Sequence, residues 1–376
     1  MQSKLFGFQS LLALIFCGMS LKDFAQTKTP VNIVTTSVPF LRISPDARAG
    51  GMGDAGIATS ADANAVFWNL AKIPFAESKT SLSVNYNPWL RNIAKEVYLA
   101  GLSGYTQLDD KQAVSLSLRY FHLGQIQFTD FDGNELLTYQ PREFSFDIGY
   151  ARKLSTKLGL GITARYINSS LASGTINGET YKAGNAIAVD LSLYHNGVNE
   201  QGKGFSWGLN ISNLGSKISY TNSSNDKDFL PANAGIGIAY TSVFDENNSI
   251  TFALDANKQL VPGLRYTGDT AIDAFSLAKY KNYGVTESWF KSNKSYTVSA
   301  GAEYAYNKQF FARTGYFYEE EMQGNRRYFT AGLGIKNKVA AFNFSYLFPA
   351  GINVNISPLA NTMRCSVLFD LAKSRK

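Results

Sequence analysis

The chain has 376 residues, 45% hydrophobic and 14% aromatic but only 17% charged, with a mean hydropathy of −0.14. Beyond its leader-like start no apolar run reaches the roughly 18 residues of a spanning helix, which excludes a helical membrane protein. A net charge of +7 is too diffuse to point to nucleic acid and suits a surface facing anionic lipopolysaccharide.

Lys4 followed by an apolar stretch from Leu5 to Met19 reads as an export signal, with cleavage expected after Ala25. Phe16 is too large for a lipoprotein signal at Cys17. Losing Lys4, Lys22 and Asp23 takes the net charge from +7 to +6 and leaves Cys365 as the single cysteine, so no intrachain disulfide is expected.

Residues 26–78 do not alternate. They carry the glycine-rich run Ser44-Pro45-Asp46-Ala47-Arg48-Ala49-Gly50-Gly51-Met52-Gly53-Asp54-Ala55-Gly56 and then many small side chains. Such a segment can pack closely in short helices, and its natural place is inside a barrel lumen as a plug. Gly51, Gly53, Gly56, Trp68 and Asn69 are its candidate functional positions. Gly51-x-Gly53-x-x-Gly56 matches a dinucleotide fingerprint literally, but no strand leads into it, so a plug turn is expected.

From residue 79 onward, apolar and polar residues alternate two by two. Side chains of a strand point alternately to opposite faces, so this rhythm gives sheets with one apolar and one polar face. Fourteen strands are predicted, near 79–86, 93–105, 112–123, 142–153, 157–168, 185–195, 204–213, 232–241, 248–258, 295–305, 308–318, 327–336, 339–348 and 362–372. The fold class expected is all-β, a 14-stranded antiparallel transmembrane β-barrel over 79–376 behind an N-terminal plug, in the outer membrane. Short connections at 106–111, 154–156, 196–203, 242–247, 306–307 and 337–338 alternate with mostly longer ones, notably 124–141, 169–184, 214–231, 259–294 and 349–361. That alternation places the short turns and both termini in the periplasm and the long loops outside.

Aromatics near strand ends, among them Tyr86, Trp89, Tyr105, Tyr120, Phe121, Tyr150, Tyr166 and Tyr240, are expected to form the interfacial girdle. Asp130-x-Asp132-Gly133 resembles the start of a calcium loop but lacks the bidentate glutamate, so an extracellular turn is expected. His122 and His195 stand in no catalytic or metal motif. Neither enzyme activity nor a cofactor or metal is expected.

The run from Ser44 to Gly56, with Ala61-Asp62-Ala63-Asn64, Trp68-Asn69 and Tyr86-Asn87-Pro88-Trp89-Leu90, resembles the PorV (LptO) family of outer-membrane barrels of the Bacteroidetes type IX secretion system. That family is itself similar to the FadL transporters, 14-stranded barrels with an N-terminal hatch. FadL-like hatches carry Asn-Pro-Ala, and the matching place here reads Asn69-Leu70-Ala71. The resemblance implies a non-enzymatic carrier that associates with an SprA-type translocon. Such a carrier captures secreted proteins by their type IX C-terminal domains and delivers them to a PorU/PorQ/PorZ-type attachment complex. It makes the extracellular loops the working surface, with Tyr220, Phe229, Tyr266, Phe275, Tyr280, Tyr283, Trp289 and Phe290 as exposed cargo- or partner-binding candidates. The alternative is a FadL-like channel for hydrophobic small molecules, which requires an apolar lumen pocket and a lateral opening in the wall. Gly101 and Gly104 either kink the wall for such an opening or pack against the plug.

Overall fold

The computed structural model describes residues 36–89, 96–129, 132–176, 179–222, 227–261, 296–320, 324–350 and 362–373. The expected export signal and the candidates Tyr266, Phe275, Tyr280, Tyr283, Trp289 and Phe290 lie outside the described residues. In chain order the strands are β1 (Ser78–Pro88), β2 (Val97–Gln107), β3 (Gln112–Leu123), β4 (Ile126–Thr129), β5 (Glu135–Tyr139) and β6 (Arg142–Lys153). Next come β7 (Leu158–Ser170), β8 (Gly174–Ile176), β9 (Glu179–Tyr181), β10 (Gly184–Val198), β11 (Gly204–Gly215) and β12 (Asn233–Val243). The last six are β13 (Asn248–Gln259), β14 (Tyr296–Tyr306), β15 (Phe310–Glu319), β16 (Arg327–Lys336), β17 (Ala340–Pro349) and β18 (Met363–Lys373).

Fourteen of these strands close into an antiparallel barrel, with β1 hydrogen-bonded to β18 at the seam. All fourteen predicted strands are found. The remaining four form two small hairpins, β4–β5 and β8–β9, which decorate two of the long connections. The β8–β9 hairpin bridges to the next long connection through Tyr181 and Thr221.

The alternation works out as the sequence predicts. On β1, Ser81, Ser83, Asn85 and Asn87 point inward and are at most 1% exposed, whereas Leu82, Val84 and Tyr86 point outward at 42–51%. On β7 and β18 the inward residues include Thr163, Arg165, Arg364 and Ser366, opposite outward Leu160, Ile162 and Leu371. A closed sheet with an apolar outer face meets lipid without leaving unpaired backbone edges.

The aromatic residues need one correction. Tyr86, Tyr150, Tyr166 and Tyr240 are exposed on the outer face as a girdle requires, but Trp89, Tyr105 and Phe121 are buried on the inner side. Phe121 stacks on Phe40 with ring centroids 6.4 Å apart, and the Tyr105 hydroxyl donates to the Ser78 carbonyl at 2.9 Å. Gly101 and Gly104 lie in unbroken register with both β1 and β3, so they make no lateral opening. A side chain at Gly101 would press on Pro45, which is the packing role.

Candidate functional site: a lumen filled by the plug

Residues 36–77 run through the lumen from one end to the other. At the long-connection end, Ser37 N donates to the Phe229 carbonyl at 3.1 Å, and Val38, Phe40 and Leu41 pack with Trp89, Leu99, Ile218 and Leu230. At the short-turn end the segment leaves through the 3₁₀ stretch Leu70–Phe75 into β1, where Ser78 pairs with Lys373. The end of β18 therefore lies at the short turns, while the first described plug residues lie at the opposite end.

The plug is built from short turns capped by its own polar residues. Asp46 caps the helical turn Ala47–Gly50, accepting from Arg48 N at 2.8 Å and Ala49 N at 3.3 Å. The same carboxylate accepts from the Trp68 indole at 3.0 Å and the Asn64 amide at 3.1 Å, joining three plug segments at one point. Burial and the nearby Asp62 carboxylate push the Asp46 carboxyl above its ordinary value. Asn69 caps the last 3₁₀ stretch through Ala71 N and donates its amide to the carbonyls of Ile57 and of wall residue Leu193.

Charged residues then fix the plug to the wall. Arg48 grips Glu303 of β14 with two hydrogen bonds of 2.9 and 2.7 Å, and Glu303 also accepts from Arg313 of β15 at 2.6 Å. Asp54 pairs with Arg364 of β18 and accepts from the Tyr328 hydroxyl at 2.6 Å. Asp255 of β13 accepts from the backbone N–H groups of Gly56 and Ile57 at 2.7 and 2.8 Å. Two-point grips of this kind are the strong class of hydrogen bond. Lys72 is buried, and its amine donates to the Gly56 carbonyl at 2.6 Å; burial lowers its pKa to about 8.

The glycine pattern is a packing device. Gly53 has φ +68, and a side chain there would collide with the backbone of Tyr316. On the wall, a Cβ at Gly315 would overlap Met52 and Gly53, so plug and wall meet backbone to backbone. A Cβ at Gly56 would strike the ring of Trp68. Gly51, Gly53, Gly56, Trp68 and Asn69 thus belong to one packed unit.

Of the loop aromatics, Tyr220 and Phe229 are described, and both are half-buried rather than exposed. The Tyr220 hydroxyl donates to Ser169 at 3.0 Å, and the Lys217 amine sits 4.0 Å from the centre of the Phe229 ring. A cavity of about 140 Å³ lies between plug residues 41–44 and the inner wall, with Arg42, Arg119, Arg326, Asn213, Asn233 and Asn257 among its lining. The sequence reading does not single out Asp255, Glu303, Arg313 or Arg364. The signal available for them is charge at positions where the alternation points inward. Among the described residues, no cluster of three or more His, Cys, Asp or Glu side chains could hold a metal ion.

The amino-acid sequence matches the family model of type IX secretion system protein PorV over residues 25–265. This chain belongs to that family. As a PorV-family barrel it is an integral outer-membrane component of the type IX secretion system. Comparison with curated protein sequences gives no match. Among solved structures, the Ralstonia pickettii toluene transporter TbuX is 12% identical, with a TM-score of 0.50, covering 87% of this chain and 97% of its own. A TodX monoaromatic hydrocarbon channel mutant is 13% identical with a TM-score of 0.52, covering 86% and 96%. A Pseudomonas aeruginosa FadL homologue aligns over 90% and 99% at 11% identity and a TM-score of 0.45. At such identities TbuX and TodX share the fold of this PorV-family chain, and nothing further follows from them.

Proposed function

We propose that this barrel is a non-enzymatic carrier in type IX secretion. It binds cargo proteins through their C-terminal signal domains at its long-connection end. It takes them from an SprA-type translocon to a PorU/PorQ/PorZ-type attachment complex at the cell surface. The long connections face outward, into the lipopolysaccharide layer, which assigns the end of β18 to the periplasm and the first described plug residues to the outward end. Residues 1–25 are the export signal, 26–78 the plug and 79–376 the barrel.

The observation that carries this reading is the plug. It is tied to β13, β14, β16 and β18 by buried hydrogen bonds and ion pairs, so the lumen is occupied by the chain itself. A barrel whose interior is committed to structure has its rim left for work. The rim carries two hairpins, and Tyr220, Phe229, Tyr266, Phe275, Tyr280, Tyr283, Trp289 and Phe290 remain its candidate contact residues.

The second reading, a conduit for hydrophobic small molecules, draws on the printed descriptions of the TbuX and TodX fold neighbours. Against it stand the guanidinium- and asparagine-bearing lining of the lumen cavity and the unbroken register of β2. Guanidinium and amide groups in such a lining must keep hydrogen-bond partners, which an apolar solute does not supply.

Purification of the tagged protein from native outer membranes in mild detergent tests the two readings. Co-purification of a very large barrel and of secreted proteins sharing a C-terminal domain is expected. Recovery of the barrel alone with bound lipid or hydrocarbon would replace the carrier with the conduit.

A further inference from the structure

The lumen cavity carries more cationic than anionic groups. Arg42 and Arg326 share a single carboxylate, Glu319, which accepts from Arg42 Nη2 at 2.7 Å and from Arg326 Nε and Nη2 at 2.6 and 2.8 Å. Glu319 is fully buried. Arg364 is matched by Asp54. Arg119 is 3% exposed; its Nη1 donates to the Leu41 carbonyl at 3.1 Å, and the carboxylate beside it, Asp147, lies at 3.5 Å and is also held by Arg165 at 2.8 Å. Arg165 is also bound to Asp190. The cavity lining itself thus carries four guanidiniums, those of Arg42, Arg119, Arg326 and Arg364, and two carboxylates, those of Asp54 and Glu319.

An uncompensated buried cation is costly, and so is a buried N–H without an acceptor. Arg119 has such a group: its Nε is buried without a hydrogen-bond partner while the residue lines the cavity. Arg42, on the plug, is held below its ordinary pKa by burial and by the neighbouring Arg326 charge. A planar guanidinium fork is matched by two oxygens of a carboxylate or phosphate.

We infer that this cavity is an oxyanion site, in which one carboxylate or phosphate group is held by guanidiniums from the plug (Arg42), from the wall (Arg119) and from the connection just before β16 (Arg326). The asparagines around it supply neutral donors, and the volume suits one such group with a few waters. The site lies toward the long-connection side of the plug, next to residues 41–44.

Calorimetric titration of the detergent-purified full barrel with inorganic phosphate, and separately with acetate, tests this. Saturable binding of one or both at one site is expected, and which of them binds tells phosphate from carboxylate chemistry. Arg326→Gln is expected to weaken binding at least about tenfold, the scale of one charge-assisted hydrogen bond. Glu319→Gln removes the competing carboxylate and is expected to tighten it. Heat-modifiable migration on gels reports whether each variant retains a folded barrel. A folded wild-type barrel that binds neither anion saturably overturns the site. So does binding that is unchanged in both folded variants.

Discussion

Arg48 Nη2 lies 2.7 Å from Glu303 Oε1, joining the α-helical turn Ala47–Gly50 of the plug to β14 across 255 residues of sequence. Both side chains are largely buried, and removing Arg48 leaves Glu303 with Arg313 at 2.6 Å as its remaining partner, so the loss is that of charge-assisted hydrogen bonds, about 1.5–3 kcal/mol. Arg48→Ala is expected to loosen the plug while the barrel persists. Planar-bilayer recordings should then show ion conductance well above that of the wild type. Conductance equal to the wild type would mean that the other anchors suffice.

Lys72 gives a pH signature. Its folded value of about 8 lies below the ordinary 10.5, so between those two values the unfolded state holds more protons than the folded one. Stability therefore rises with pH across that window, and below pH 8 the cost of burying the ammonium is felt in full. Melting temperatures in detergent at pH 7.5 and 10.5 are expected to show this rise relative to Lys72→Met, in which it is absent. Parallel pH slopes for the two proteins would refute the assignment.

At Gly315 wall and plug meet backbone to backbone. A methyl there overlaps the backbone of Met52 and Gly53, which no side-chain rotation relieves. Gly315→Ala is expected to cost more than about 2 kcal/mol and Gly315→Val more still, within the range for overpacked cores. Limited proteolysis should cut the plug in both variants under conditions that leave the wild-type plug intact.

The proposed orientation predicts a labelling pattern. Glu179, exposed on β9, belongs to a long connection, and Gln201 is exposed in a short turn. In a Cys365→Ser background, Glu179→Cys should react with a membrane-impermeant maleimide on intact cells. Gln201→Cys should react only after the outer membrane is opened. The reverse pattern would invert the barrel and remove the rim from the cell surface.

The wall was legible because its two faces meet different solvents: Ser81, Ser83 and Asn85 against Leu82, Val84 and Tyr86 state the period without help. Trp89, Tyr105 and Phe121 were misread because an occupied lumen can bury rings just as lipid can. The position of the plug followed from its small residues, but its fastenings did not. Asp54 meets Arg364 across 310 residues, and nothing local to either side chain names the other. Charges such as Glu303 and Arg364 on inward strand positions were the readable trace of a partner inside.

The seam between Ser78 on β1 and Lys373 on β18 has a consequence for biogenesis. The wall becomes a cylinder only when its first and last strands meet, and the plug's fastening points on β13 to β18 are the last parts of the chain to be made. Contacts spanning 198 to 319 residues, from Ile57–Asp255 to Ala47–Ser366, place this protein among slow folders of high contact order. Until those strands arrive, Arg48 and Asp54 have no wall to hold, and the nascent protein exposes a glycine-rich segment with unmatched charges. Whatever accompanies it across the periplasm has that segment to shield, and closure of the cylinder is the step that retires the need.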